Sequence, residues 1–514
     1  MSYLLRSSTL PPAKIGILSF TDPRKDVKLV EEREQFIQKQ HSLLVSALQQ
    51  QGFVVVDPLQ TRGKKEGIWA ISTQKEALAL LSQLQSEEIF ALIVGCFTWN
   101  EPNVPLSLAE KLQTPVALVT STNKDWPGIT ALASTGASFW ENAKNVFIKK
   151  HARFLFTREA DIEKMTPWLK AMRALQHVRT GKLLLWGSGP ALHMEHLTDD
   201  ISTLQRLNLI EEVFTEGQYQ LIQKTEELLL RAPERISAFK NWLETNQVKI
   251  LYDDKMLSEQ TLQKQIALYL VAKDIIKTYI QNGERIIGVS IKCQPELSVQ
   301  YGITPCFLPA FLPFNSDSEE PEKEIIPTVC EGDIKGLITS ALLYGLNPQY
   351  PPLFGDVRFF EENYFVLGNC GAASIFYATL KENPLENLKQ ISLEPQCQGV
   401  AGAAIKYHTP PTTDGVVTFA RLIRIAGKHY FQVGTGKIVP GKEPKVGTWG
   451  ATWPYTAIEV PVEQDLFIKA LGTNHLSVTP GNFSKEFAIL SQMLEIPVIN
   501  LNDSKALERF LAEI

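Results

Sequence analysis

FALIVGC, residues 90–96, is a continuous apolar run between polar segments. A run of that length with a β-branched centre reads as a strand buried on both faces. QKEALALLSQLQS (74–86) precedes it and SLAEKLQ (107–113) follows, both with helical spacing, and PVALVTS (115–121) is the next apolar run. Strands separated by helices of about ten to fifteen residues indicate βαβ units and a parallel sheet. Toward the N-terminus, KIGILSF (14–20) gives a first strand ending in the basic turn TDPRKD (21–26). A polar helical stretch over 30–51 then leads to a second strand, GFVVVDP (52–58).

The alternation restarts further on. GKLLLWGSGP (181–190) is a strand entering a glycine-rich turn; helices at 224–243 and 259–280 lead to the strand IIGVSIK (286–292). The acidic run NSDSEEPEKE (315–324) is expected to be a solvated surface loop. After the proline-rich LNPQYPP (346–352) the texture turns to β: GVVTFARLIRIAGKHYFQVGTGKIV (415–439) alternates around turn glycines, which suggests antiparallel strands. The expected fold class is α/β, with three parts. Residues 1–178 and 179–347 form Rossmann-like or flavodoxin-like parallel-sheet domains, and 348–514 form a mixed, β-rich domain.

Composition excludes several classes. Of 514 residues, 44% are hydrophobic and 21% charged, as in ordinary soluble proteins, so a sizeable core is available. The net charge is −5 and no basic block stands out, which speaks against nucleic acid as a partner. No run is long and apolar enough for a membrane span, and the first residues lack the apolar core of a signal peptide. The six cysteines show no C-x-x-C pairing and read as reduced thiols, consistent with a cytoplasmic protein.

Candidate chemistry gathers at strand ends. In IIPTVCEGDIKGLITSALLYGL (325–346) a strand turns at Glu331-Gly332-Asp333 into a helix. Carboxylates there face the crevice where α/β proteins bind ligands. Asp333 has the simpler reading of a helix N-cap; Glu331 has no capping duty. PPLFGDVRFF (351–360) places Asp356 at a similar point, with a surface pair to Arg358 as the alternative. VLGNCGAAS (366–374) offers Asn369 and Cys370 in a small-residue turn, which is a site edge or a plain turn. In LGTNHLSVTPGNF (471–483), Asn474 and His475 precede a β-prone run. Two carboxylates and one imidazole suit a hard six-coordinate ion such as Mn²⁺ better than zinc, and they fit proton transfer between neighbouring sugar carbons. HMEH (193–196) lacks the zincin order and reads as surface, while GSGP and GTGKIVPGK match no nucleotide-binding pattern. His41, His151, His177 and His429 read as surface or structural.

These segments, in this order, resemble the L-fucose isomerase family within the fucose/arabinose isomerases. The likeness is carried by TVCEGDIKG, LFGDVRFF, LGNCGAAS, GTNHLSVTPGNFSKEFAILSQMLEIPV and KIGILSFTDPRKDV. It implies that Glu331, Asp356 and His475 hold Mn²⁺, or another divalent ion such as Co²⁺ or Mg²⁺. It implies an aldose–ketose isomerase acting on L-fucose or a related sugar, in which Glu331 and Asp356 shuttle a proton through an ene-diol and Asn474 touches a sugar hydroxyl. It further implies a β-barrel part in the C-terminal domain and a symmetric homo-oligomer, usually a hexamer. In that assembly Arg24 and Trp99 reach a neighbouring subunit's sugar. Two departures stand out. The resembled Asn-Ser-Gly is Asn369-Cys370-Gly371 here, and Lys292 replaces a substrate-facing glutamine. A lysine there suits an anionic hexose, or is simply solvated. A non-catalytic sugar-binding protein is the reading from another class.

Overall fold

The computed structural model describes residues 13–24, 29–65, 67–157, 161–253, 255–361, 363–397, 400–408, 412–441, 444 and 447–514. Residues 1–12 of the N-terminal stretch read for a signal peptide, Lys25 and Asp26 of the basic turn, and Lys442 of the second glycine-rich stretch lie outside them. The chain divides into two compact units, one running through Gln176 and one from His177 to Ile514.

In the first unit, β1 (Lys14–Ser19), β2 (Val54–Val56), β3 (Ala91–Gly95), β4 (Val116–Ser121) and β5 (Ala152–Phe156) form one parallel sheet in the order β2-β1-β3-β4-β5. That is the flavodoxin-like order. All of β3 is buried, as the unbroken apolar run requires. Helices Val30–Gln50, Asn103–Leu112 and Gly128–Asn142 connect the strands. β5 carries mixed burial and charge, so its pattern did not single it out.

The second unit opens with another parallel sheet: β6 (Lys182–Trp186), β7 (Glu212–Glu216), β9 (Ile286–Ile291) and β10 (Thr328–Cys330), ordered β10-β9-β6-β7. The intervening β8 (Lys249–Ile250) pairs instead with β13 (Ile391–Pro395), which is antiparallel to β14 (Ala403–Tyr407). The acidic run 315–324 corrects its expectation. Asp317 is buried and accepts hydrogen bonds from Tyr269 Oη (2.6 Å) and Lys273 Nζ (2.8 Å), and Lys273 also reaches Glu319 and Glu320. Lys273 lies on a buried helix, and an ammonium taken from water has to be met by carboxylates.

The mixed sheet holds β11 (Leu353–Glu361), β12 (Tyr364–Gly368), β15 (Val416–Ile425), β16 (Lys428–Val439), β17 (Tyr455–Glu459), β18 (His475–Pro480) and β19 (Val498–Asn500). Its order is β15-β18-β11-β12-β17-β16-β19, and β15 also pairs with β16. The antiparallel pairings therefore run in a closed circuit through six strands. One hydrophobic core joins Leu184, Leu268 and Phe307 to Leu353, Phe419 and Phe467. Helix Ile334–Leu346, buried along its whole length, packs between the parallel sheet and the mixed one.

Candidate active site

The end of β10, the interior of β11 and the start of β18 bring the candidate residues together, so Asp356 does not end its strand as the sequence suggested. β10 stops at Cys330, and the chain turns through Glu331 and Gly332, both at positive φ (+67° and +71°). A Cβ on Gly332 would stand 2.5 Å from the carbonyl oxygen of Gly189, and Ala191 N–H donates to the Glu331 carbonyl at 2.8 Å. The glycine-rich turn after β6 thus braces the Glu331 turn. The left-handed backbone costs Glu331 about 1–2 kcal/mol, and such strain is characteristic of functional positions.

Asp356 on β11 lies directly opposite His475 on β18, and on its other side opposite Gly368 on β12. Side chains of directly opposed residues are close neighbours. The β11–β12 register slips between Val357 and Phe359, and such bulges re-aim side chains. Arg358 swings over the rings of Trp449 and Trp453 (4.3 and 4.5 Å) and donates to the Trp449 carbonyl.

The three predicted ligands converge. His475 Nε2 is 3.1 Å from Glu331 Oε2 and 3.3 Å from Asp356 Oδ1. His475 is fully buried, while the Asp356 side chain keeps 31% of its surface and forms the open side. The other ring nitrogen, Nδ1, is 2.8 Å from Asp333 Oδ2. Asp333 is the expected N-cap, accepting from Gly336 N–H at 2.7 Å, and it is also clamped by both terminal nitrogens of the buried Arg421. Gly336 lies under that clamp, where a Cβ would meet Arg421 Nη1 at 2.4 Å. The chain Arg421–Asp333–His475 fixes the ring and leaves Nε2 facing the two carboxylates.

Charge sets the demand of the site. Of the three carboxylates, Asp333 is paired with the Arg421 guanidinium, while Glu331 and Asp356 face the His475 ring. Burial works against a charged imidazole, but Asp356, Asp333 and Glu331 outweigh it and hold the His475 pKa well above its ordinary value. Burial likewise opposes ionised Asp333, yet Arg421 and His475 keep its carboxyl far below the usual range. Glu331 Oε2 and His475 Nε2 are buried and make no hydrogen bond of good geometry. An octahedral ion with bonds of about 2.1 Å holds neighbouring donors about 3.0 Å apart, close to the two measured separations. Among the described residues no group of three His, Cys, Asp or Glu side chains is placed so that it could hold a metal ion as it stands.

The remaining candidates take definite places. Asn474 Nδ2 donates to Asp356 Oδ1 at 2.8 Å, and its Oδ1 is 2.9 Å from His196 Nε2. Asn369 is buried and accepts from Cys370 N–H and the Cys330 thiol. Lys292 Nζ is taken by Glu296 (2.7 Å). Arg24 and Trp99 follow the ends of the paired strands β1 and β3 in the first unit; Arg24 Nε donates to Asp22 at 2.9 Å, and Trp99 is half-buried.

Arg421 and His196 escaped the sequence reading. A lone arginine inside the apolar strand VVTFARLIRI was the available signal, since a buried guanidinium requires a carboxylate. His196 was read only as surface within HMEH; it is exposed, in the 3₁₀ turn Glu195–Leu197, and no local pattern aims it at Asn474.

Residues 367–502 match the family model described as L-fucose isomerase, C-terminal domain. This part of the chain is similar to the C-terminal domain of L-fucose isomerases. This supports the L-fucose isomerase family and implies a sugar isomerase. The domain spans from the end of β12 through β19 and contains Asn369, Cys370, Arg421, Asn474 and His475. Glu331 and Asp356 lie ahead of it and join it through the β10 turn and the β11–β18 pairing. A comparison with curated proteins returns no match. Among the described residues no helix is long and apolar enough to cross a membrane.

Proposed function

We propose that the protein is a divalent-metal-dependent aldose–ketose isomerase acting on a neutral sugar such as L-fucose or a related deoxy sugar. The observation that carries this reading is the convergence of two carboxylates and one oriented imidazole, drawn from the turn after β10 and from β11 and β18, around a single buried nitrogen. Glu331, Asp356 and His475 would hold the ion, with Mn²⁺ the leading choice and Co²⁺ or Mg²⁺ the alternatives. When bound, the ion polarises the substrate carbonyl and fixes two adjacent sugar oxygens.

The chain's own groups then move the proton. One of Glu331 and Asp356 takes it from the carbon beside the carbonyl, and the other serves as acid through an ene-diol. Asn474 steadies Asp356 from one side. Burial of Glu331 and His475 keeps water from their side of the site, and the exposed edge of Asp356 admits the sugar. The charge of Lys292 is already met by Glu296, which favours a neutral substrate over an anionic hexose.

The assembly proposed with this function is a symmetric homo-oligomer, a hexamer or smaller, in which Arg24 and Trp99 approach a neighbouring subunit's sugar. Glu331→Gln, assayed with Mn²⁺ supplied, is expected to lower turnover by about a thousandfold or more, as loss of a proton-transfer group at a metal does. Unchanged turnover would remove the assignment. Sedimentation of the variant and the wild type addresses the assembly separately.

A further inference from the structure

Cys293, Cys306, Cys330 and Cys370 are scattered in sequence but line one small cavity in the fold, together with Gln294, Thr304 and Asn369. Cys293 follows β9, Cys330 ends its parallel neighbour β10, Cys306 precedes helix Phe307–Phe311, and Cys370 sits in the turn after β12. Cys330 Sγ donates to Asn369 Oδ1 at 3.4 Å, and the Cys370 N–H donates to the same oxygen at 2.8 Å, which sets the two cysteines beside each other. Cys306 Sγ donates to the Cys370 carbonyl at 3.5 Å. Cys370 is partly exposed, whereas the other three are buried.

One partly exposed cysteine beside a buried one on the same cavity wall is the arrangement of an oxidisable pair. We propose that Cys370 and Cys330 form a peroxide-sensitive thiol pair at the wall of the candidate active site. The Cys370 sulfur attacks one oxygen of hydrogen peroxide, the O–O bond breaks, and Cys370 sulfenic acid and one water result. The Cys330 sulfur then attacks the Cys370 sulfur, the S–O bond breaks, and a second water leaves. The two thiols together lose two protons and two electrons, and the peroxide takes them up to give the two waters. A thiol reductant reverses the bridge by exchange.

The bridge acts on the site through two neighbours. Cys330 is joined by one peptide bond to Glu331, and it loses the S–H that meets Asn369. The tether also draws the 369–371 turn onto the end of β10. The effect on turnover rests on the isomerase reading above; the chemistry of the pair does not.

The test treats the intact protein with hydrogen peroxide, blocks remaining thiols, digests it without reductant and maps linked peptides by mass spectrometry. A Cys330–Cys370 link removed by dithiothreitol is expected. In Cys330→Ser, dimedone is expected to label Cys370. Oxidation that leaves both thiols free, or a link from Cys370 to Cys293 or Cys306, overturns the proposal, and wild-type mapping suffices if the variant does not fold. Each protein is also assayed before and after peroxide. The wild type is expected to lose about tenfold of its isomerase activity and regain it with reductant, while a link without any activity to lose would count against the isomerase reading alone.

Discussion

At the residue scale, His475 works because of what stands behind it. Asp333 holds Nδ1 and Arg421 holds Asp333, so the ring cannot turn its Nε2 away from Glu331 and Asp356. Carboxylates behind metal-binding histidines typically contribute 10–100-fold to affinity or activity. Asp333→Asn is therefore expected to weaken Mn²⁺ binding by about that factor, read by calorimetric titration. Arg421→Met should act on stability instead. It leaves a buried carboxylate without its counter-ion, which costs about 3–5 kcal/mol in urea unfolding. Asp333 was legible as an N-cap because capping is local in sequence. Its second duty was not, because His475 lies far along the chain and only tertiary packing brings the two together.

At the element scale, the site joins the end of one strand to a register pair inside the mixed sheet. β10 delivers Glu331 through a left-handed turn, and the antiparallel register of β11 and β18 sets Asp356 across from His475. Strain and function are opposed at the first of these. Glu331→Gly should raise the metal-free stability by about 1 kcal/mol, because glycine adopts that backbone freely, and should abolish isomerisation. A loss of stability instead would show that the Glu331 side chain supports the fold. The strands themselves were readable: apolar runs between helices gave the parallel sheets, and alternation gave the antiparallel ones. β5 and β7 were not, since their burial is mixed and carries neither pattern. The acidic run 315–324 looked solvated because its cationic partner, Lys273, sits on a helix remote in sequence.

At the scale of the whole molecule, the matched domain supplies the histidine and its arginine support, and the segments ahead of it supply both carboxylates. Stability has its own pH signature in the first unit. Burial lowers the His151 pKa to about 4; the neutral ring pairs its Nδ1 with the Ile148 carbonyl and lies 3.0 Å from Arg153 Nε. The unfolded chain binds this proton near its ordinary value, so between about pH 4 and 6.5 it holds more protons than the folded one and stability rises with pH. The His151 contribution to that slope cannot exceed about 1.4 kcal/mol per pH unit. Urea unfolding of His151→Gln across the window is expected to show a shallower slope than the wild type.

The central claim is proton transfer at a sugar by Glu331 and Asp356. The direct measurement incubates the Mn²⁺-loaded protein with L-fucose and related aldoses in D₂O, removes the metal with chelator, and follows the sugar by NMR. A ketose is expected to appear with loss of the aldose C2 proton signal, and Glu331→Gln should stop both. If no aldose, neutral or anionic, gives ketose or exchanges its C2 proton, the isomerase account is wrong and a sugar-binding role takes its place.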